Sequence, residues 1–366
     1  MATPDDPLRL QAGGVLDHVE VAYETFGRLD ADRANVVVVC HALTGDAHVS
    51  GEGGWWSNLV GPGRAVDTDR WFVVCANLLG GCSGTTGPSS PHPATGRALG
   101  LDFPIIAIAD QVAVHRRLLE HLDIARVHAL LGGSLGGMQV LQWLLEEPER
   151  FDRAVMVATP ARLTTENIAF SAVAREAIMG DPDFYDGRYA EHGVTPRRGL
   201  KVARMLAHIT YVSAESLERK FGHERTATSP TATPTLGVDF EVERYLQHQG
   251  ESFLDRFDAL SYLYLSRALD HFDPLADPAT PERLARCRAR VSLTSFDTDW
   301  RFRTAQTLPI AAALRAAGVE VDLAELRSPW GHDSFLLEPP GYHERIRSAL
   351  GAAAVTGVHT PAVNGR

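Results

Sequence analysis

Hydrophobic and polar positions change rhythm several times along this chain, and each change marks an element. Residues 8 to 26 alternate, with Leu16, Val19, Val21 and Tyr23 among the apolar set, which predicts an antiparallel strand pair at a sheet edge. Asn35 to Cys40 contains the unbroken run Val36-Val37-Val38-Val39, Trp71 to Ala76 is also continuously apolar, and Val127 to Leu131 is apolar apart from His128. A segment apolar on both faces suits a central parallel strand covered by helices on each side. Ile105 to Leu122 switches to helical spacing, with Ile106, Ala109, Val112, Ala113, Leu118, Leu119 and Leu122 on one face. Arg153 to Ala158 returns to a strand pattern. From Ala161 to about Arg286 the spacing predicts helices alone: Ile168 to Met179, Leu200 to Tyr211, Ala214 to Phe221, Phe240 to Gln249 and Phe253 to Leu269. A Thr-, Pro- and Ser-rich loop from Thr226 to Gly237 interrupts them. Strands resume at Val291 to Phe296 and Val319 to Leu326, with helices near Ala305 to Ala317 and Tyr342 to Ala353.

Such alternation, with right-handed crossovers, builds an α/β fold with a mainly parallel sheet. The expected layout is a core from residues 1–160 and 287–352, a helical insertion at 161–286, and a disordered tail at 353–366. Composition narrows the function classes. The chain has 366 residues, 45 % of them hydrophobic, enough for one large core carrying an insertion. A net charge of -11 without a basic cluster weighs against a nucleic-acid partner. No apolar run approaches the roughly 20 residues that span a bilayer, so no membrane partner is expected. Met1 to Gln11 has neither the basic nor the apolar part of a signal peptide. Cys40, Cys75, Cys82 and Cys287 lack metal-binding or redox spacing and read as reduced packing residues of a cytoplasmic protein, with no metal site.

The chemistry centres on Gly132-Gly133-Ser134-Leu135-Gly136, set between a strand and the helix-forming run Met138 to Leu145. Gly-x-Ser-x-Gly in that context is a nucleophile elbow, which puts the Ser134 hydroxyl at a helix N-terminus. A serine nucleophile needs a base and an acid to orient it, and in α/β-hydrolases the chain order is serine, acid, histidine. The strand Val291 to Phe296 leads into Asp297-Thr298-Asp299, and Val319 to Leu326 leads towards Gly331-His332. His332 is the candidate base, while Asp297 and Asp299 both qualify as the acid. An oxyanion hole needs two backbone N–H donors: Leu135 follows the serine, and Leu43 lies in the loop His41 to Gly45 after the valine strand. His41 precedes the serine and reads as structural. The glycine-rich loop Gly80 to Pro88 lacks a P-loop lysine and reads as shaping the site.

Several stretches carry a resemblance: His41-Ala42-Leu43-Thr44-Gly45, Gly54-Trp55-Trp56, Gly61-Pro62-Gly63, Gly80 to Pro88, Gly132 to Gln139, His208-Ile209-Thr210-Tyr211, Asp299-Trp300 and Gly331-His332-Asp333. Together they resemble the homoserine O-acyltransferases of the MetX type, over about residues 8 to 350. The resemblance implies an α/β-hydrolase fold: a mainly parallel central sheet, helices on both faces and an inserted helical lid, the lid usually carrying a homodimer interface. It implies a Ser134–Asp299–His332 triad and a ping-pong reaction of methionine biosynthesis. Ser134 would take the acyl group of an acyl-CoA co-substrate and pass it to the hydroxyl of L-homoserine, with no further cofactor. Arg204 would face the amino-acid carboxylate, with Tyr211 nearby, and Asp333 the ammonium. Arg301, two residues after Asp299, resembles the family members that use succinyl-CoA, whose free carboxylate it would meet; Arg303 stands close by. Succinyl is favoured over acetyl on this ground. The alternatives are acetyl-CoA as donor, serine as acceptor, an esterase or thioesterase with the same triad, and a non-catalytic binding protein, which an intact triad disfavours.

Overall fold

The valine run lies in the middle of a seven-stranded sheet. The computed structural model describes residues 1–227 and 236–351. In chain order the strands of this sheet are β1 (Tyr23–Phe26), β2 (Val36–Cys40), β3 (Phe72–Ala76), β4 (Val127–Gly133), β5 (Phe151–Val157), β6 (Arg290–Phe296) and β7 (Val321–Leu326). Their spatial order is β7-β6-β5-β4-β2-β3-β1, parallel throughout except that β1 runs antiparallel to β3. Every residue of β2 is buried. Val36, Val38 and Cys40 face one core cluster and Val37 and Val39 the other, which is why a half-polar pattern would fail at this position.

Helices cover both faces. On one lie α1 (Ile108–His121), α2 (Leu135–Glu146) and, later in the chain, α9 (Thr304–Ala316); on the other, α10 (Tyr342–Ala349) packs with residues 49–66. Between β5 and β6 come α3 (Thr165–Met179), α4 (Arg197–Tyr211), α5 (Ala214–Phe221), α6 (Glu241–Glu251), α7 (Ala259–Asp270) and α8 (Thr280–Ala285), with no sheet strand among the described residues. Caps define their starts: the Thr164 hydroxyl accepts the Asn167 N–H, and Ser213 and Asp258 do the same for α5 and α7. A buried Arg175–Asp270 pair at 2.7 Å ties α3 to α7. Among the described residues no helix is long and apolar enough to cross a membrane.

Two expectations need correction. Of the alternating residues 8 to 26, only Tyr23–Phe26 joins the large sheet; Leu8–Arg9 pairs with Val15–Leu16 as a separate small hairpin. Alternation reports one buried face but not which sheet buries it. The helix expected from Phe253 begins at Ala259, where the Asp258 carboxylate accepts the Ser261 N–H; ahead of it the Phe253 and Phe257 rings stack 4.9 Å apart. Residues 228–235 of the expected Thr226 to Gly237 loop, and the expected tail at 353–366, lie outside the described residues.

Candidate active site

Strand register delivers the serine. Cys40 pairs with Gly132 and Gly133 with Val157, so β2, β4 and β5 end at one level and the elbow rises from it. Ser134 holds φ 58°, ψ −123°, a conformation costly for a residue with a side chain. The turn tolerates no bulk beside it, since a Cβ on Gly136 would fall on the Cys40 carbonyl. The hydroxyl of Ser134 lies 2.9 Å from His332 Nε2, and His332 Nδ1 lies 2.7 Å from Asp299 Oδ2. Asp299 Oδ1 accepts the backbone N–H groups of Arg301 (3.0 Å) and Phe302 (2.8 Å). All three side chains are buried. With Nδ1–H donated to Asp299, Nε2 is left to accept the serine proton. Asp297 is engaged elsewhere, accepting the Ser328 N–H at 2.9 Å.

The histidine loop is set by the helices inserted between β5 and β6. Gly331 has φ +67°, and a side chain there would press on the Tyr211 carbonyl and the Ser213 N–H at the end of α4. Trp300 Nε1 donates to the Val212 carbonyl at 3.0 Å, and Ser216 Oγ donates to the Pro329 carbonyl at 2.9 Å. The loops after β6 and β7 are thus both fastened to the α4–α5 junction.

On the other side of the serine, Gln139 Nε2 of α2 donates to the His41 carbonyl at 3.1 Å and holds the loop that carries Leu43 against the elbow. The His41 ring accepts the Leu78 N–H on Nε2 (3.2 Å) and donates from Nδ1 to the Ala42 carbonyl (2.7 Å). Burial pushes its pKa down to about 4, so it is a neutral strut. Leu135 opens α2 as its first residue. The N–H groups of Leu43 and Leu135 donate to no protein acceptor among the described residues.

Arg204 and Tyr211 come from α4, seven positions apart and so on one helix face. Arg204 is 9 % exposed. Its guanidinium stacks over Phe253 (4.7 Å) and Tyr211 (5.9 Å), touches the Thr44 hydroxyl at 3.4 Å, and leaves Nε without a partner. The Tyr211 ring stands 5.9 Å from the His332 ring. Burial pushes the Asp333 carboxyl up to about 6, opposed by the nearby His332 and Arg204 charges. The two arginines after Asp299 part company. Arg303 pairs with Glu166 at the surface (3.0 Å), whereas Arg301 turns inward onto Thr210 and the Tyr211 ring.

A sequence profile of the α/β hydrolase fold matches residues 35–339. A homoserine O-succinyltransferase of Nocardioides sp. strain JS614 is 63 % identical over 357 residues, covering 96 % of both chains. A homoserine O-acetyltransferase of Caulobacter vibrioides is 48 % identical over 358 residues, covering 95 % of this chain and 93 % of that one. The chain belongs to the homoserine O-acyltransferase family. Among solved structures, a homoserine O-acetyltransferase from Bacillus anthracis superposes with a TM-score of 0.86 at 26 % identity, over 94 % of this chain and 95 % of that one. The esterase E22 superposes with a TM-score of 0.84 at 25 % identity, over 94 % and 97 %. The scaffold of the homoserine O-acyltransferases therefore also serves a hydrolase, and side chains rather than fold separate transfer from hydrolysis.

Around Arg204 stand further groups to which the sequence reading gave no role. Arg256 stacks on Phe253 at 5.4 Å and donates to the Thr44 carbonyl at 3.4 Å. His208 contacts Tyr245 at 3.4 Å, while its Nε2 has no partner. Burial and the charges of Arg204, Arg256 and Lys220 push its pKa down to about 3, so it stays neutral. Helical spacing could have flagged His208, four residues after Arg204. Nothing in the sequence brings Tyr245 or Arg256 to it from other segments.

Proposed function

We propose that the chain transfers an acyl group from acyl-CoA to the hydroxyl of L-homoserine, with succinyl-CoA as donor. The observation that carries this reading is a Ser134–His332–Asp299 relay with two opposite charges near it, Arg204 on α4 and Asp333 next to His332 in the loop after β7. His332 Nε2 takes the Ser134 proton as Oγ attacks the thioester carbonyl, and the Leu43 and Leu135 N–H groups hold the oxyanion. Collapse breaks the C–S bond, and His332 returns the proton to the departing CoA thiolate. Homoserine then enters with its carboxylate on Arg204, which can grip it bidentately, and its ammonium on Asp333. His332 deprotonates its hydroxyl, which attacks the acyl-serine, and Ser134 leaves with that proton. The lid excludes water, the competing nucleophile. Asp299 keeps His332 in the required tautomer throughout. The transfer is redox-neutral, so acyl-CoA suffices as co-substrate. The product is the activated homoserine of methionine biosynthesis.

Arg301 supports the donor assignment, because succinyl presents a carboxylate to it and acetyl does not. A relative with 63 % identity named as a succinyltransferase agrees. Relatives near 48 % named as acetyltransferases make acetyl-CoA the second reading. We further propose a cytoplasmic homodimer joined through the lid, where α3 and α4 expose Val173 (57 %), Val202 (48 %) and Ile209 (39 %). CoA release from succinyl-CoA and acetyl-CoA, each with and without L-homoserine or L-serine, tests the assignment. Release with succinyl-CoA that depends on homoserine supports it. Equal release without an acceptor indicates a thioesterase instead. In Arg301→Leu succinyl-CoA use should fall while acetyl-CoA use persists.

A further inference from the structure

We infer that Thr210 sets donor selectivity by aiming Arg301 without neutralising it; this rests on the proposed reading of Arg301 as the group that meets the donor's carboxylate. Thr210 is fully buried on α4. Its hydroxyl donates to the Ala207 carbonyl at 2.8 Å, one turn back along the helix. With its proton committed there, the oxygen has only lone pairs to offer, and Arg301 Nη1 donates to them at 2.6 Å. The guanidinium is flanked by Tyr211 (5.2 Å) and Phe302 (5.4 Å), and Arg301 forms no ion pair among the described residues.

The neighbouring Arg303 shows the contrast, since Glu166 answers its charge in full. A carboxylate at position 210 would do the same for Arg301 and leave nothing for a ligand. A hydroxyl with a fixed proton supplies direction alone. The positive charge remains uncompensated in a half-buried setting, where an unmatched charge is costly and an incoming carboxylate is favoured. Thr210 stands on the lid and Arg301 on the loop that carries Asp299, so the bond crosses the seam between them. Thr210 is therefore a positioning residue, and its influence on substrate passes through Arg301.

The test measures kcat/KM for succinyl-CoA and acetyl-CoA in wild type, Thr210→Val, Thr210→Ser, Arg301→Leu and the Thr210→Val/Arg301→Leu double variant. Thermal melts run alongside, and Thr210→Ala stands in if valine prevents folding. Losing one hydrogen bond to a charged group lowers the succinyl-to-acetyl ratio by about tenfold in Thr210→Val, through KM for succinyl-CoA. KM for homoserine should stay within about twofold, serine should restore the ratio, and the double variant should match Arg301→Leu because the two changes act as one unit. An equal loss with both donors, or additive losses in the double variant, overturns the role of Thr210 while leaving Arg301 in place. An unchanged ratio in Arg301→Leu overturns the donor reading itself, and this inference with it.

Discussion

On the sheet side of the cleft, the reacting groups are paired with one another. Ser134 meets His332, His332 meets Asp299, and the second oxygen of Asp299 is taken by two backbone N–H groups. The charges on and around α4 lack such partners. Arg204 has one long hydrogen bond and two aromatic faces, Arg301 has a hydroxyl, and Asp333 has no hydrogen bond among the described residues. Arg204 and Asp333 feel each other's charge, but buried charges without a hydrogen-bonded counter-charge still cost stability. The contrast is a division of labour: one wall is complete in the protein itself, and under the proposed function substrate would complete the other.

The largest effect should come from the finished wall. Ser134→Ala should lower kcat by about 10⁴-fold or more, as serine-triad knockouts do, with the melting temperature almost unmoved. Activity that survived would mean the elbow serine carries no acyl group. Next is the open wall: Arg204→Gln should lower kcat/KM for homoserine by about 10²-fold and spare the donor half-reaction, read as a burst of CoA release. Equal loss in both half-reactions would show that Arg204 supports the lid and not the amino acid.

The smallest effect is a matter of pH. Under the proposed function an ionised Asp333 holds the homoserine ammonium, and its pKa is raised to about 6. KM for homoserine should therefore climb as pH falls through that value. The comparison is with Asp333→Asn, which should have a high, flat KM where wild type varies. Stability should move the opposite way. A carboxyl whose folded pKa lies above its unfolded value favours folding below the unfolded pKa, and that contribution is lost as pH rises through the folded one. Asp333→Asn should thus melt higher than wild type near about pH 8 and gain nothing near about pH 4. A gain of equal size at both would point to packing rather than charge.

The sheet side was also the more legible in sequence. Gly132 to Gly136 names its serine because steric exclusion at a sharp turn leaves a residue-level mark, and the valine run of β2 names its depth. Asp297 and Asp299 looked alike, because what separates them is which one the next loop's backbone occupies: Ser328 takes Asp297. Around α4, Arg204 and Tyr211 were legible only through resemblance, and Tyr245 and Arg256 not at all. Arg204, Tyr245, Arg256 and Thr44 come from four segments, and helical periodicity reports which face is inward but not what it meets. The same limit misplaced the start of α7, where a capping aspartate overrode an apolar run.

The turn after Asp299 has a consequence for how such a protein can change. Asp299 is held by the backbone N–H of residue 301, whereas the acyl group would be read by the side chain of that same residue. Any residue except proline supplies the N–H. On the proposed reading of Arg301, a single codon at this position would therefore rewrite which donor is accepted without disturbing the apparatus that does the work. A lineage could drift between donors there by one step, and only a change to proline should close the route.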